Sequence, residues 1–304
     1  MSVRGRNLYA DRPDARNDIS GIGLAVGAAI CFGTLAIAAK LAYRVGAAPV
    51  PLLAVRFTIA ALLLHVWHHG VRRAPMERRR AVFRLVALGA LGYAFESSLF
   101  FAALKQAPAG VVALVFYSYP IWTTILGLAA KLERFRGSLL AALLLGTAGV
   151  LLIFSAPVSG IVGPLLAVAS ALAVAVYLVV AQVFARGVEP GAAAAWTASG
   201  AACALVVASA LIRQGLPRQA LPEAAALGIA TSIAFVMLFA AIRRIGSARA
   251  AVANMLEPVT TVILAAWLLD EVITRRIVAG AVLIVAALPI LAFRGRRHVP
   301  PPWP

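Results

Sequence analysis

Residues Leu99–Phe135 read LFFAALKQAPAGVVALVFYSYPIWTTILGLAAKLERF, and residues Met237–Ile273 read MLFAAIRRIGSARAAVANMLEPVTTVILAAWLLDEVI. The two stretches align at a constant offset without a gap. Phe101 falls on Phe239, Lys105 on Arg243, Ala113 on Ala251, Pro120 on Pro258, Thr123 on Thr261 and Glu133 on Glu271. In each copy a proline inside an apolar helix precedes a glutamate at the helix end by the same spacing. Matches of Ala, Leu and Val carry little weight in such a chain, so the argument rests on Pro, Glu and Phe. A repeat of this kind points to duplication of a unit slightly under half the chain.

The 304 residues are 62% hydrophobic and 13% charged, with a mean hydropathy of +0.94. Soluble chains of this length do not have that composition, and apolar runs of about 20 residues are the mark of spanning helices. Ile19 to Ala39 carries no charge, and Gly137 to Ala185 carries none either. The second run is too long for one crossing, and Pro157 with Gly160 supplies the turn that divides it. No barrel-type alternation occurs, so the spans are helices. Ten are expected, over residues 20–41, 50–69, 82–104, 107–130, 136–155, 160–184, 191–212, 222–243, 248–269 and 274–293. The fold class is therefore an all-α integral membrane protein with two five-helix repeats, 20–155 (helices 1–5) and 156–293 (helices 6–10). A polar tail precedes them (1–19) and a basic, proline-rich tail follows (294–304).

The net charge of +17 does not indicate a nucleic-acid partner, because the arginines sit in short loops between apolar runs. Twenty of the 28 Lys and Arg residues fall in the tails and even-numbered connections, and seven on the opposite side. The positive-inside rule then puts both termini in the cytoplasm. Five helices is an odd number, so the two repeats cross the membrane in opposite directions. Opposed repeats of this kind build many secondary transporters, with the substrate site between them near the midplane. The first run is too long for a signal peptide and is read as a retained helix. Cys31 and Cys203 lie inside apolar runs and are read as buried, inert thiols.

These ten helices, the proline–glutamate ending of helices 4 and 9, and the arginine early in helix 2 (Pro51-Leu-Leu-Ala-Val-Arg56-Phe57) resemble an EamA-type transporter of the drug/metabolite transporter superfamily. The resemblance covers residues 20–293. It implies a multi-pass carrier of the bacterial inner membrane that exports amino acids, related metabolites or toxic compounds. The second repeat has no arginine at the position matching Arg56.

Three charges fall inside spans: Arg56, Glu96 and Glu257. Each costs about 2.5–3.5 kcal/mol at a helix centre and needs a partner or water. Arg56 and Glu96 lie at similar depth on consecutive helices. They read as a structural ion pair, as a pair that lines a cavity and opens or titrates during transport, or as two groups that do not meet. Glu257 precedes Pro258, which frees a carbonyl near Asn254. Asn254, Glu257 and Thr261 share one helix face. Glu257 reads as a cavity carboxylate that binds an amine or exchanges a proton, or as a group satisfied at the proline kink. Pro120 and Pro258 are expected to kink their helices. Tyr93, Tyr117, Tyr119, Trp122, Tyr177 and Trp196 read as an aromatic cavity wall or as interface belts. Thus the candidate cavity residues are Arg56, Glu96, Tyr117, Tyr177, Trp196, Asn254 and Glu257.

Glu133 and Glu271 are expected to form interfacial salt bridges with neighbouring bases. His65, His68 and His69 read as snorkelling interface residues rather than metal ligands, and Gly23 and Gly27 as a close-packing motif. Neither a Walker A loop nor a hydrolase motif occurs, and no cofactor or metal is expected. The expected partners are a small-molecule substrate, the lipid bilayer and protons as coupling ion, in a monomer or weak homo-oligomer. A passive pore and a membrane-embedded enzyme are the alternatives.

Overall fold

The computed structural model describes residues 15–71, 77–107, 109–154, 160–269 and 272–292. All regular structure among them is helical. In chain order the helices are α1 (Asp18–Arg44), α2 (Pro49–Val71), α3 (Arg79–Gln106), α4 (Gly110–Ala129), α5 (Gly137–Ile153), α6 (Val162–Phe184), α7 (Pro190–Leu211), α8 (Arg218–Ile245), α9 (Ser247–Leu268) and α10 (Arg275–Ala292). Among the described residues, the nine other than α5 are long and apolar enough to cross a membrane. At its 17 residues α5 is about 26 Å long, slightly short of a hydrocarbon core of about 30 Å.

Each helix end falls within four residues of its sequence expectation, apart from the start of the first helix. The chain is already helical at Ala15, so residues 15–19 begin the first helix instead of ending a tail. The rest of that tail, the tail 294–304 and Glu271 lie outside the described residues.

Both repeat prolines interrupt their helices. Pro120 has no N–H to give, and the helix breaks at Tyr117–Ser118 just before it. Pro258 acts in the same way, and Asn254–Leu256 tightens into a 3₁₀ turn. A π-helical turn over Leu88–Tyr93 in α3 shifts the face on which Tyr93 lies. Wider turns of this sort leave no signature in composition.

The packing repeats as the sequence does. α1 packs on α8 and α3 on α6, while α2 packs on α7 and α5 on α10. Changing every helix number by five maps this set onto itself. The α5–α10 crossing is backbone on backbone. A Cβ built on Gly149 would lie 2.6 Å from the Gly280 carbonyl oxygen, and one on Gly280 2.5 Å from that of Gly149. The expected Gly23–Gly27 motif is only half used. Gly27 abuts Met237 of α8, whereas Gly23 faces open space. Cys203 is exposed on α7, not buried as expected, because its side of that helix points away from the bundle; Cys31 is half-buried.

Candidate functional site

The broken helices meet around a cavity of about 270 Å³. Its polar wall comes from both repeats: Arg56 on α2, Tyr93, Glu96 and Ser97 on α3, Tyr117 and Tyr119 at the α4 break, Tyr177 on α6, and Asn254, Glu257 and Thr261 on α9. Apolar rings of Phe32, Phe100, Phe101 and Phe116 complete it. The cavity extends past Lys40, Leu104, Gly110, Phe154 and Ile277. All of these lie at one end of the bundle, where α1, α3 and α5 finish and α4 and α10 start.

Arg56 is 2% exposed, and its Nε donates to Thr231 Oγ1 on α8 at 2.7 Å. Its guanidinium lies over the Phe57 ring, 4.8 Å from the centroid. Glu96 accepts from Ser97 Oγ and from Ser170 Oγ on α6, each at 3.1 Å. The expected direct Arg56–Glu96 ion pair is therefore not formed. Each charge is satisfied by hydroxyls, the arginine's on α8 (Thr231) and α3 (Tyr93) and the glutamate's on α3 and α6, and the two face the same cavity. Charges in a low-dielectric interior need such partners.

Glu257 is only partly buried and faces the Tyr117 hydroxyl. Thr261 Oγ1 donates to the Gly33 carbonyl at 3.0 Å, joining α9 to α1. Two buried polar atoms of the wall have no protein partner, Tyr177 Oη and Asn254 Oδ1. Unpartnered polar atoms on a cavity wall suit a ligand or ordered water. The aromatic faces pack edge-on, with Tyr93 4.9 Å from Tyr177 and 4.8 Å from Phe235 between ring centroids.

Six of the seven candidate cavity residues come together here. Trp196 does not: its indole packs edge-on against His65, 4.7 Å between centroids, away from the cavity lining. Trp122 is also outside the lining and 38% exposed. His65 bonds Ser199 at 2.9 Å, and His68 is buried with Nδ1 3.2 Å from Glu189 Oε2. The expected snorkelling is thus wrong for His68, since Glu189 supplies a polar partner inside the protein. Among the described residues no group of three or more His, Cys, Asp or Glu could hold a metal.

The opposite end of the bundle is held by bonds around the start of α9, some within the second repeat and some between the repeats. Gly246 links α8 to α9 at φ +83°, a conformation that favours glycine, and a Cβ there would strike Glu133. The next residue, Ser247, donates its N–H to Gln182 Oε1 of α6 at 2.7 Å. Arg249 is buried, with Nη1 3.2 Å from Asp18 Oδ1 of α1 and Nη2 donating to the Leu291 carbonyl of α10 at 2.8 Å. Glu133 turns inward to the Ala248 amide and Arg249, so it is not the expected surface bridge. Burial holds its carboxyl above the ordinary range, against the pull of Ala248, Arg249 and Arg136.

The family model described as "EamA-like transporter family" matches this chain twice, at residues 19–155 and 161–293. The chain belongs to the EamA-like transporter family. It is a multi-pass membrane protein of that family. A solved structure titled "Crystal structure of protein" superposes on it with a TM-score of 0.76 at 23% identity, covering 90% of this chain and 96% of that one. That likeness supports the fold alone. No curated protein matches the sequence significantly.

Proposed function

We propose that this EamA-family protein is a secondary active transporter that exports a small metabolite, such as an amino acid or an amphipathic cation, by alternating access. The observation that carries the reading is a charged, aromatic cavity that reaches one end of the bundle while the bonds around Ser247 and Arg249 close the other. A saturable carrier needs that arrangement, whereas a pore needs a continuous path. All ten helices cross the membrane in this reading, α5 included, as two inverted repeats with both termini cytoplasmic. The charge bias then makes the open end external and the Asp18–Arg249 end internal, in a bacterial inner membrane.

Glu257 is the acid most open to the cavity. It holds a cationic group of the substrate in one state and a proton in the other, which couples export to proton entry. Tyr117 and Asn254 orient the bound group, and Tyr177 offers it a further hydrogen bond. Arg56 and Glu96 fix the wall through Thr231, Ser97 and Ser170 and set the field around the bound solute. Transport rocks α3, α4, α8 and α9 about the cavity.

The experiment is a growth-rescue screen of the expressed protein against toxic amino acids and cationic drugs, followed by counterflow in proteoliposomes. Rescue with saturable counterflow, lost in Glu257→Gln while expression is kept, supports the reading. Flux that neither saturates nor shows counterflow identifies a pore, and a chemically altered compound an enzyme.

A further inference from the structure

Beside the cavity lies a second hollow of about 560 Å³, between α9 and α10. Its walls are aliphatic, formed by Val259, Ile263, Val278, Val282 and Val285 with Pro289 at the far end. Among the described residues, Glu257–Leu269 and α10 scarcely pack on one another. Instead α10 leans on α5 through the glycine crossing. Ile263, Val278, Val282 and Val285 are 57%, 52%, 60% and 50% exposed, so the hollow faces the lipid side of the bundle.

This slot adjoins the cavity. Ile153, Val262, Ile273 and Ile277 line both. A solute that crosses this threshold passes from an all-aliphatic groove to a wall carrying Glu257, Tyr117 and Asn254 without leaving the protein. The first repeat differs at its own proline break. There Phe154 at the end of α5 stacks on Tyr117, with ring centroids 6.1 Å apart and planes at 11°.

We propose that the α9–α10 slot is a lateral portal between the bilayer and the cavity, and that it admits the single apolar chain of an amphiphile whose ammonium head sits at Glu257. This rests on the transport reading for its purpose but not for its test. The chemistry of the two ends fixes the class. An alkyl or aryl chain costs nothing to hold in a slot without polar groups and loses nothing on leaving lipid. A cationic head gains a carboxylate and the faces of Tyr117, Tyr119 and Phe116. A hydrophilic solute gains nothing from the slot.

The test is photolabelling of the full chain in nanodiscs of phosphatidylethanolamine and phosphatidylglycerol. The probe is dodecyltrimethylammonium carrying a terminal diazirine, and adducts are mapped by mass spectrometry. Adducts are expected at Ile263, Val278 and Val282. Glu257→Gln should reduce them about fivefold or more, the worth of the lost carboxylate charge with the aromatic faces still in place. Adducts at Leu211, which is 78% exposed on α7, should not change. Excess tetramethylammonium, head without tail, makes the same comparison on the unmutated protein. Val278→Trp and Val282→Trp fill the slot and should abolish adducts at Val262 and Ile277 behind it. Slot adducts no stronger than those at Leu211, or equally strong with Glu257→Gln and with competitor, overturn the proposal. If no compound is driven across proteoliposomes, the transport reading fails while the labelling pattern still decides the portal.

Discussion

Replacing Arg249 with Met should unlatch the closed end. Arg249 is the hub there, joined to Asp18 at 3.2 Å and to the Leu291 carbonyl at 2.8 Å. The two paired side chains are only 9% and 6% exposed. Removing one member of such a buried pair costs about 3 kcal/mol or more, because the other charge is left without compensation. If the latch exists only in the closed arrangement, that cost falls on this arrangement alone. At about 1.4 kcal/mol per tenfold, the closed-to-open ratio falls by about two decades. The assay is the rate at which a membrane-impermeant maleimide modifies Ala250→Cys from the Asp18 side, with Cys31 and Cys203 replaced. Ala250 is fully buried, so its rate reports opening. Asp18→Asn combined with Arg249→Met removes the orphaned Asp18 carboxylate and should recover part of the loss. A rate that stays within about twofold of the parent in Arg249→Met refutes the latch.

Gly149→Val should lower the melting temperature of the purified protein, since a backbone carbonyl of Gly280 stands 2.6 Å from the new Cβ and α5 must move; overpacking of this kind costs about 1–3 kcal/mol, and an unchanged thermal unfolding curve counts against the crossing. Burial raises the Glu133 carboxyl, so its protonated form favours the packed end, and this contribution is present at low pH and lost as pH rises through the raised value. Labelling of Ala250→Cys should therefore quicken as pH rises above the ordinary carboxylate range, after correction at an exposed reference cysteine, and Glu133→Gln should flatten that dependence. For orientation, a cysteine at Gln214 should be labelled from outside intact cells and one at Arg79 should not; the reverse pattern inverts the topology.

The long apolar runs placed every helix, because a membrane demands continuous hydrogen-bonded backbone and its length is written in composition. Pro120 and Pro258 announced the two breaks, since a missing N–H acts wherever it falls. The π turn at Leu88–Tyr93 was invisible, for no residue there demands it. Arg56, Glu96 and Glu257 stood out as charges in lipid, but their partners did not. Thr231 is 175 residues from Arg56 and Ser170 is 74 from Glu96, and pairing across repeats leaves no local pattern. Trp196 was misplaced because an indole suits a cavity wall and a helix end equally well. Arg249 passed as one more loop arginine. The repeat itself held a signal: the position matching it in the first copy is Val111, and a lone buried arginine in one copy marks a device on one side only.

The central claim is that the two ends of the cavity open in alternation, and Ala113 tests it. Its side chain lines the cavity and is half-buried. Labelling of Ala113→Cys, with Cys31 and Cys203 replaced, is measured in membrane vesicles of both orientations. The account predicts fast modification from the Lys40 side and slow modification from the Asp18 side, and a reversal of that ratio when Arg249→Met is added. Rates that rise together from both sides would mean a continuous channel and contradict the account.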